Sequence, residues 1–284
     1  MHYIIIITKI KTLSDPPLLF YIFFKNIIND SSDCTVYGKI GNVAELCRKK
    51  FQKVIIMNSI ALETTEKSAS VAIFENESII YYAQLPLEIR SAQSLAPGVK
   101  EALTQTGLAP SQIQLVAVAQ GPGSFTGLRV GVVSAKTFAW AVSADIIGVN
   151  SMEVCAFEAP KDVSKISVAF DCQRGQVIFQ DFDRMPDGAF SPVSDEKTLA
   201  WRDWLAQTEQ TRWLSGPYVS RIDPALLENR LVIAQEFREP NAKGVGALAI
   251  RLYQAGRKDV LWDLVPHYSR PAAAEEKRMG QKIN

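Results

Sequence analysis

The stretch QGPGSFTGLRVG, residues 120–131, follows the apolar run IQLVAVA at 113–119 and precedes an apolar segment at 128–142. This order predicts a strand, a tight glycine loop and a helix. The glycines and Pro122 give the loop an unusual backbone path. Ser124 or Thr126 can cap the free N–H groups at the start of the helix.

Two interpretations of the glycine loop compete. A helix N-terminus behind such a loop can bind an anion, which would make it a phosphate site. However, the stretch has neither the Gly-Lys-Ser/Thr of a P-loop nor the spacing G-x-G-x-x-G. The other interpretation is a capped turn that aims the following helix. We favour the turn, because no lysine, paired carboxylate or metal cluster converges on the loop.

The glycine loop resembles the GPGSFTG(L/V)R signature of the TsaB family of bacterial tRNA threonylcarbamoyladenosine biosynthesis proteins. A second resemblance lies near the C-terminus, where Pro266, Tyr268 and Arg270 match the family's P-x-Y-x-R element. The resemblance extends over residues 58–270 and is weak between 184 and 260. The signature residues are Gly121, Pro122, Gly123, Ser124, Phe125, Thr126 and Gly127.

The composition limits which classes of protein the chain can belong to. The chain has 284 residues and is 47% hydrophobic, enough for one large domain or two medium ones. The net charge of +1 combines a basic N-terminus with a slightly acidic remainder, in which 23 Lys/Arg face 26 Asp/Glu. Phosphate contacts need clustered Lys and Arg. We therefore expect tRNA to be held mainly by other subunits of a complex.

Residues 1–56 differ from the rest and are predicted to be an atypical extension, either misassigned or disordered, with Met57 as the true start. Their apolar run LLFYIFF at 18–24 is interrupted by Lys25 and falls short of the about 20 residues that span a membrane. No signal-peptide cleavage site follows the run. A membrane-surface anchor is the open alternative. We expect a cytoplasmic protein with no membrane attachment.

The order of elements predicts the fold class. Three predicted strands, at 59–65 with a small polar turn at its end, at 70–74 and at 79–84, are separated by short turns, which is typical of an antiparallel meander. A helix, a parallel strand, the glycine loop and a helix follow. This unit resembles the core of the actin, hexokinase and Hsp70 superfamily, and the runs at 166–171 and 176–182 echo its beginning. We predict a two-lobed α/β fold of that ribonuclease H-like type, each lobe a mixed sheet with helices. The boundaries are 57–160, 161–271 and a flexible tail at 272–284.

Glu63 and Asp171 are predicted to end equivalent strands of the two lobes. In the superfamily an acidic residue at this position lies beside the phosphates and the metal. The functional interpretation is therefore a nucleotide or metal contact. The alternative is an exposed, solvated side chain, which we favour because a single carboxylate holds a catalytic metal poorly.

Metal and nucleophilic chemistry find little support in the sequence. The only histidines are His2 and His267, and no Cys/His cluster exists, so we predict no metal site and no catalytic residue. Cys172 has no histidine to activate it. The resemblance implies that the chain needs no cofactor of its own. Binding of ATP or ADP at the interface of a complex is left open.

The segment at 128–142 is apolar almost all round, so the predicted helix needs cover on both faces. The cover could come from the chain's own core or from a partner. The resemblance implies a four-helix interface in which this helix and the one at 91–107 pack against the same pair in another subunit. The predicted interface residues are Leu95, Val99, Leu103, Arg129, Gly131, Val132, Ala135, Phe138 and Ala139.

The resemblance implies a non-catalytic dimerisation subunit of the complex that forms N6-threonylcarbamoyladenosine at position 37 of tRNA. It would support the catalytic transferase TsaD, which the ATPase TsaE joins, and it could also form a homodimer. An active sugar-kinase-like phosphotransferase is one alternative and would need a base and a nucleotide pocket. A peptidase would need a metal or an activated nucleophile. A scaffold unrelated to tRNA is a third alternative.

Overall fold

A computed structural model describes residues 56–66, 68–86 and 91–270 of the chain. The predictions for 1–55 and for the tail beyond 270 lie outside these residues. Within them, no helix is both long and apolar enough to cross a membrane.

The first sheet has five strands in the order β3-β2-β1-β4-β5. β1 (Asn58–Glu63), β2 (Ser70–Glu75) and β3 (Ser78–Gln84) form an antiparallel meander. β4 (Ile113–Gly121) and β5 (Asp145–Asn150) extend the sheet in parallel. The predicted meander and the parallel strand before the glycine loop are therefore confirmed.

Helices cover both faces of this sheet. α1 (Ser91–Thr106) and α2 (Phe125–Val142) lie on one face, and the short α3 (Ser151–Phe157) follows β5. Ile60 and Leu62 of β1 pack with the α1 and α2 side, whereas Ala61 packs on the opposite face. This alternation is that of a strand buried on both sides, and it explains the three consecutive apolar residues at the centre of β1.

The second sheet has the strand order β10-β6-β7-β8, and β9 also pairs with β7. Its strands are β6 (Lys165–Asp171), β7 (Gln176–Arg184), β8 (Phe190–Pro192), β9 (Lys197–Ala200) and β10 (Trp213–Ser215). α4 (Trp201–Gln207) packs on this sheet through Trp204, which is fully buried and donates a hydrogen bond of 3.0 Å to the Ser167 hydroxyl. The two mixed sheets with their helices confirm the predicted fold class.

One helix comes late in the sequence but packs on the first sheet. α5 (Ala242–Gln254) lies in the range 161–271 that the sequence assigned to the second lobe, yet Val245 and Ala249 are buried against the first sheet. Gly246 allows this close approach, because a β-carbon there would overlap the Phe74 ring. The chain therefore returns to the first sheet after completing the second.

Candidate functional site

The glycine loop connects β4 to α2, as predicted, and Ser124 is the N-cap. Its hydroxyl accepts a hydrogen bond of 3.3 Å from the backbone N–H of Gly127. Its own N–H donates to the carbonyl oxygen of Thr65 at 2.7 Å. The capping prediction is confirmed, and the bond to Thr65 ties the loop to the turn that follows β1.

The turn after β1 fills the space beside the start of α2. A β-carbon on Gly127 would overlap the carbonyl oxygen of Thr64, and one on Gly131 would overlap the Thr64 hydroxyl. The Thr64 hydroxyl donates to the carbonyl oxygen of Gly127 at 2.8 Å. The glycines therefore serve a close approach between α2 and β1. This packing favours the capped turn over a phosphate cradle.

The terminal P-x-Y-x-R motif lies directly against the glycine loop. The backbone N–H of His267 donates to the carbonyl oxygen of Gln120 at 2.6 Å. Nε of Arg129 donates to the Tyr268 hydroxyl at 2.9 Å, and the same guanidinium lies 4.0 Å from the ring centre of Phe125. The rings of Phe125 and Tyr268 are 4.8 Å apart. The sequence contained both motifs but did not predict this contact, since nothing local signals it.

Most of the predicted interface residues point into the chain's own core. Val132, Ala135 and Ala139 are at most 2% exposed and face the first sheet. Leu95, Leu103 and Gly131 are also buried, with exposed fractions of 2% for Leu95 and 8% for Leu103. Leu95 and Leu103 nevertheless line the groove described below, and the interface assignment of these six residues stays a prediction. Substitution of Ala135 or Ala139 by arginine would therefore test folding and not partner binding.

Of the three remaining predicted interface residues, two line a groove and one is exposed elsewhere. Val99 and Phe138 are partly buried and line an apolar groove of about 700 Å³ between α1 and α2. Leu103 also contributes to its wall. Arg129 is exposed beside the glycine loop. The structure therefore brings Val99, Phe138 and Arg129 to a surface.

The solvent-exposed side of α2 carries a second apolar surface, which the sequence did not identify. We call it the outer face and define it by Val133, Trp140 and Trp262, whose exposed fractions are 62%, 65% and 68%. Nζ of Lys136 holds the segment around Trp262 by donating to the carbonyl oxygens of Trp262 at 3.0 Å and Leu264 at 2.9 Å. The i, i+7 spacing of Val133 and Trp140 was the signal that could have indicated one helix face.

Glu63 is fully buried, so the expectation of a solvated side chain is wrong. Its Oε1 accepts hydrogen bonds from the backbone N–H and the hydroxyl of Thr65, each at 2.5 Å, whereas Oε2 has no hydrogen-bond partner. Burial raises the pKa of Glu63 to about 7, although the bonds from Thr65 oppose this effect. The neutral acid is therefore well populated at neutral pH.

Asp171 ends β6 as Glu63 ends β1, and it is paired with Arg221 at 2.5 Å. Among the residues that the structure describes, no three His, Cys, Asp or Glu side chains are grouped to hold a metal ion. A nucleotide or metal contact by Glu63 or Asp171 stays a prediction.

Comparisons with known proteins bear on this site. A family model described as "TsaD: tRNA N6-adenosine threonylcarbamoyltransferase" matches residues 88–195, the range that contains α1, the glycine loop and α2. A TsaB protein from Bacillus subtilis is 29% identical over 154 residues, which cover 54% of this chain and 67% of that protein. TsaB from Escherichia coli is 24% identical over 240 residues, which cover 80% of this chain and all of that protein.

The chain is similar to TsaB proteins. The resemblance first indicated by the glycine loop is thereby confirmed. The solved structure titled YeaZ from Pseudomonas aeruginosa shares the fold, with a TM-score of 0.62, 21% identity and coverage of 75% of this chain and all of that one.

Proposed function

We propose that the protein is a TsaB-type subunit of the machinery that forms N6-threonylcarbamoyladenosine in tRNA. The observation that carries this proposal is the similarity to Escherichia coli TsaB along the whole of that protein. In this role the chain is non-catalytic and supports a catalytic transferase of the TsaD type. The packing of Thr64 against the start of α2 supports this assignment, because it fills the place where a phosphate would have to approach.

The partner docks on the α1 and α2 side of the first sheet. Two features support this docking site. Val133 and Trp140 expose large apolar side chains on α2, and such surfaces on soluble proteins mark interaction sites. The TsaD family model matches residues 88–195, which include α1 and α2, and this match supports a similar helix pair in a TsaD-type partner. Two similar helix pairs can pack together as a four-helix bundle.

The same face can receive a second copy of this chain, so the homodimer and the heterodimer compete for it. A TsaE-type ATPase completes the complex, and tRNA is held mainly by the other subunits. If the complex uses ATP or ADP, the nucleotide binds at the interface between subunits. This chain needs no cofactor of its own.

The test is co-purification with the TsaD-type protein, followed by Val133→Arg and Trp140→Arg. Both residues are exposed, so the chain keeps its fold while the docking surface gains a charge. We expect each variant to bind at least about tenfold more weakly, which corresponds to about 1.4 kcal/mol. The matched control is Val193→Arg, a 51% exposed valine on the second sheet's side of the chain.

Two results would contradict the proposal. Undiminished binding by both outer-face variants would reject this docking site. Tight binding of ATP and Mg²⁺ by the isolated chain, measured by calorimetry, would favour a phosphotransferase instead.

A further inference from the structure

A groove of about 400 Å³ lies between α4 and the segment at 224–230. We call it the α4 groove. Its lining includes Trp201, Arg202, Gln210, Leu226, Asn229 and Arg230. None of its lining residues belongs to α1 or α2, so the groove is separate from the partner surface proposed above.

The charge of the α4 groove is positive. Its two charged lining residues are Arg202 and Arg230, and no Asp or Glu among the described residues lines it. Within the ranges that the structure describes, neither arginine forms an ion pair with a carboxylate. Burial lowers the pKa of the Arg230 guanidinium, and no neighbouring carboxylate opposes this effect. The groove is therefore complementary to an anion.

Arg230 is held in position by the C-terminal end of α4. Its Nη1 donates to the carbonyl oxygen of Leu205 at 2.6 Å, and its Nη2 donates to that of Thr208 at 2.9 Å. These carbonyl groups fix the guanidinium without neutralising its charge. A group that is fixed before a ligand arrives loses little conformational entropy on binding.

Trp201 gives the groove an aromatic wall. The residue is half-buried, and its backbone N–H donates to the carbonyl oxygen of Gly175 at 3.1 Å. The guanidinium carbon of Arg202 lies 4.9 Å from the centre of the Trp201 ring. Leu226, which is 51% exposed, adds apolar surface. Aromatic rings and arginine planes of this kind are the surfaces on which unpaired RNA bases stack.

Two amide side chains distinguish between the possible anions. Gln210 and Asn229 are exposed, and each amide can both donate and accept a hydrogen bond, as the edge of a base requires. An acidic peptide would match the two arginines alone. An RNA nucleotide matches the arginines, the aromatic ring and the amides. The volume of the groove is that of a small-ligand site.

We propose that the α4 groove binds one unpaired nucleotide of an RNA strand, with the base against Trp201 and the phosphate beside Arg202 and Arg230. The choice of RNA rests on the proposed function, in which the machinery modifies tRNA. A contact of one nucleotide agrees with the slightly acidic body of the chain, in which 23 Lys/Arg face 26 Asp/Glu. Other subunits would still hold most of the tRNA.

The test measures by fluorescence anisotropy how tightly the full chain binds a labelled, unmodified tRNA transcript and a short single-stranded RNA, between about 50 and about 200 mM salt. Arg202→Gln should weaken binding about threefold and reduce the slope of log affinity against log salt by about 0.7 to 0.9. Trp201→Leu should weaken binding at least about fivefold and leave the slope unchanged, because it removes stacking and no charge. Arg202 is exposed, so its variant keeps the fold even if Trp201→Leu does not.

The matched control is Lys161→Gln, which removes one charge from an exposed residue outside the groove and should bind RNA like the wild type. Equal losses in Lys161→Gln and Arg202→Gln would overturn the proposal, because binding would then follow overall charge. RNA binding that is absent in the wild type, or undiminished in both groove variants, would also overturn it. Poly-L-glutamate binding that depends on Arg202, with RNA binding unaffected, would assign the groove to an acidic protein segment instead. These measurements need no partner, so their failure is distinct from failed co-purification with the TsaD-type protein.

Discussion

Nε of Arg129 donates a hydrogen bond of 2.9 Å to the hydroxyl oxygen of Tyr268, 139 positions further along the chain. The two residues belong to the two motifs that carry the resemblance to TsaB, one at the glycine loop and one at the C-terminal end of the fold. Phe125 completes the contact by stacking with both. The two motifs are thus halves of one structural unit, and the unit lies at the start of the helix that carries the outer face.

Tyr268→Phe separates the hydrogen bond from the ring contact. The variant keeps the ring beside Phe125 but loses the hydroxyl, so we expect a loss of about 1 kcal/mol in unfolding free energy. Tyr268→Ala removes both and should lose about 2 kcal/mol. Denaturant unfolding of the purified chain measures both values. Equal losses in the two variants would show that the ring contact contributes nothing.

Gly127→Ala should destabilise the chain by about 2–3 kcal/mol, because the added carbon overlaps the backbone of Thr64. The matched control is Gly98→Ala in α1, where the added carbon meets only the end of the Leu85 side chain, which can move. Alanine also favours the helix there, so we expect little net change. The same denaturant measurement applies, and similar losses in both variants would refute the close-approach role of Gly127.

Ala135→Arg and Val133→Arg should separate folding from docking on the same helix. Ala135 is fully buried, so the arginine places an unpaired charge in the core and should cost more than about 4 kcal/mol. Val133 is 62% exposed, so its substitution should change stability by less than about 0.5 kcal/mol. Thermal unfolding distinguishes them, and comparable midpoints would mean that α2 is turned differently on the sheet.

Cys155 should resist thiol reagents while the chain is folded. Its side chain is fully buried, and burial raises the pKa of its thiol well above the ordinary value, so the reactive thiolate is scarce. We expect labelling by iodoacetamide at pH 8 to be at least about 100-fold slower than in denaturant. Peptide mass spectrometry reads this position separately from the other cysteines. Rapid labelling of the folded chain would show that the core around α3 opens.

Local pattern was sufficient to predict the meander, the strand before the glycine loop and the Ser124 cap. Each of these is set by residues close in sequence, such as the turn residues between β2 and β3. The burial of Glu63 could not be predicted this way, because it is set by tertiary packing, and Glu239, whose charge acts on Glu63, lies far along the chain. The inward orientation of Ala135 and the contact of Arg129 with Tyr268 were missed for the same reason. When a helix is apolar on every side, its sequence does not indicate which side of the helix packs on the sheet.

The return of α5 makes the first sheet a discontinuous unit. Residues 57–160 lack the helix that covers one face, where Ala61, Leu115 and Ala117 are buried beneath Val245 and Ala249. A fragment cut after residue 160 would expose that apolar face to water and should aggregate. In engineering terms, the second sheet is an insertion within the first domain. The smallest piece that keeps the first sheet intact must therefore carry the second sheet with it, or a designed link in its place.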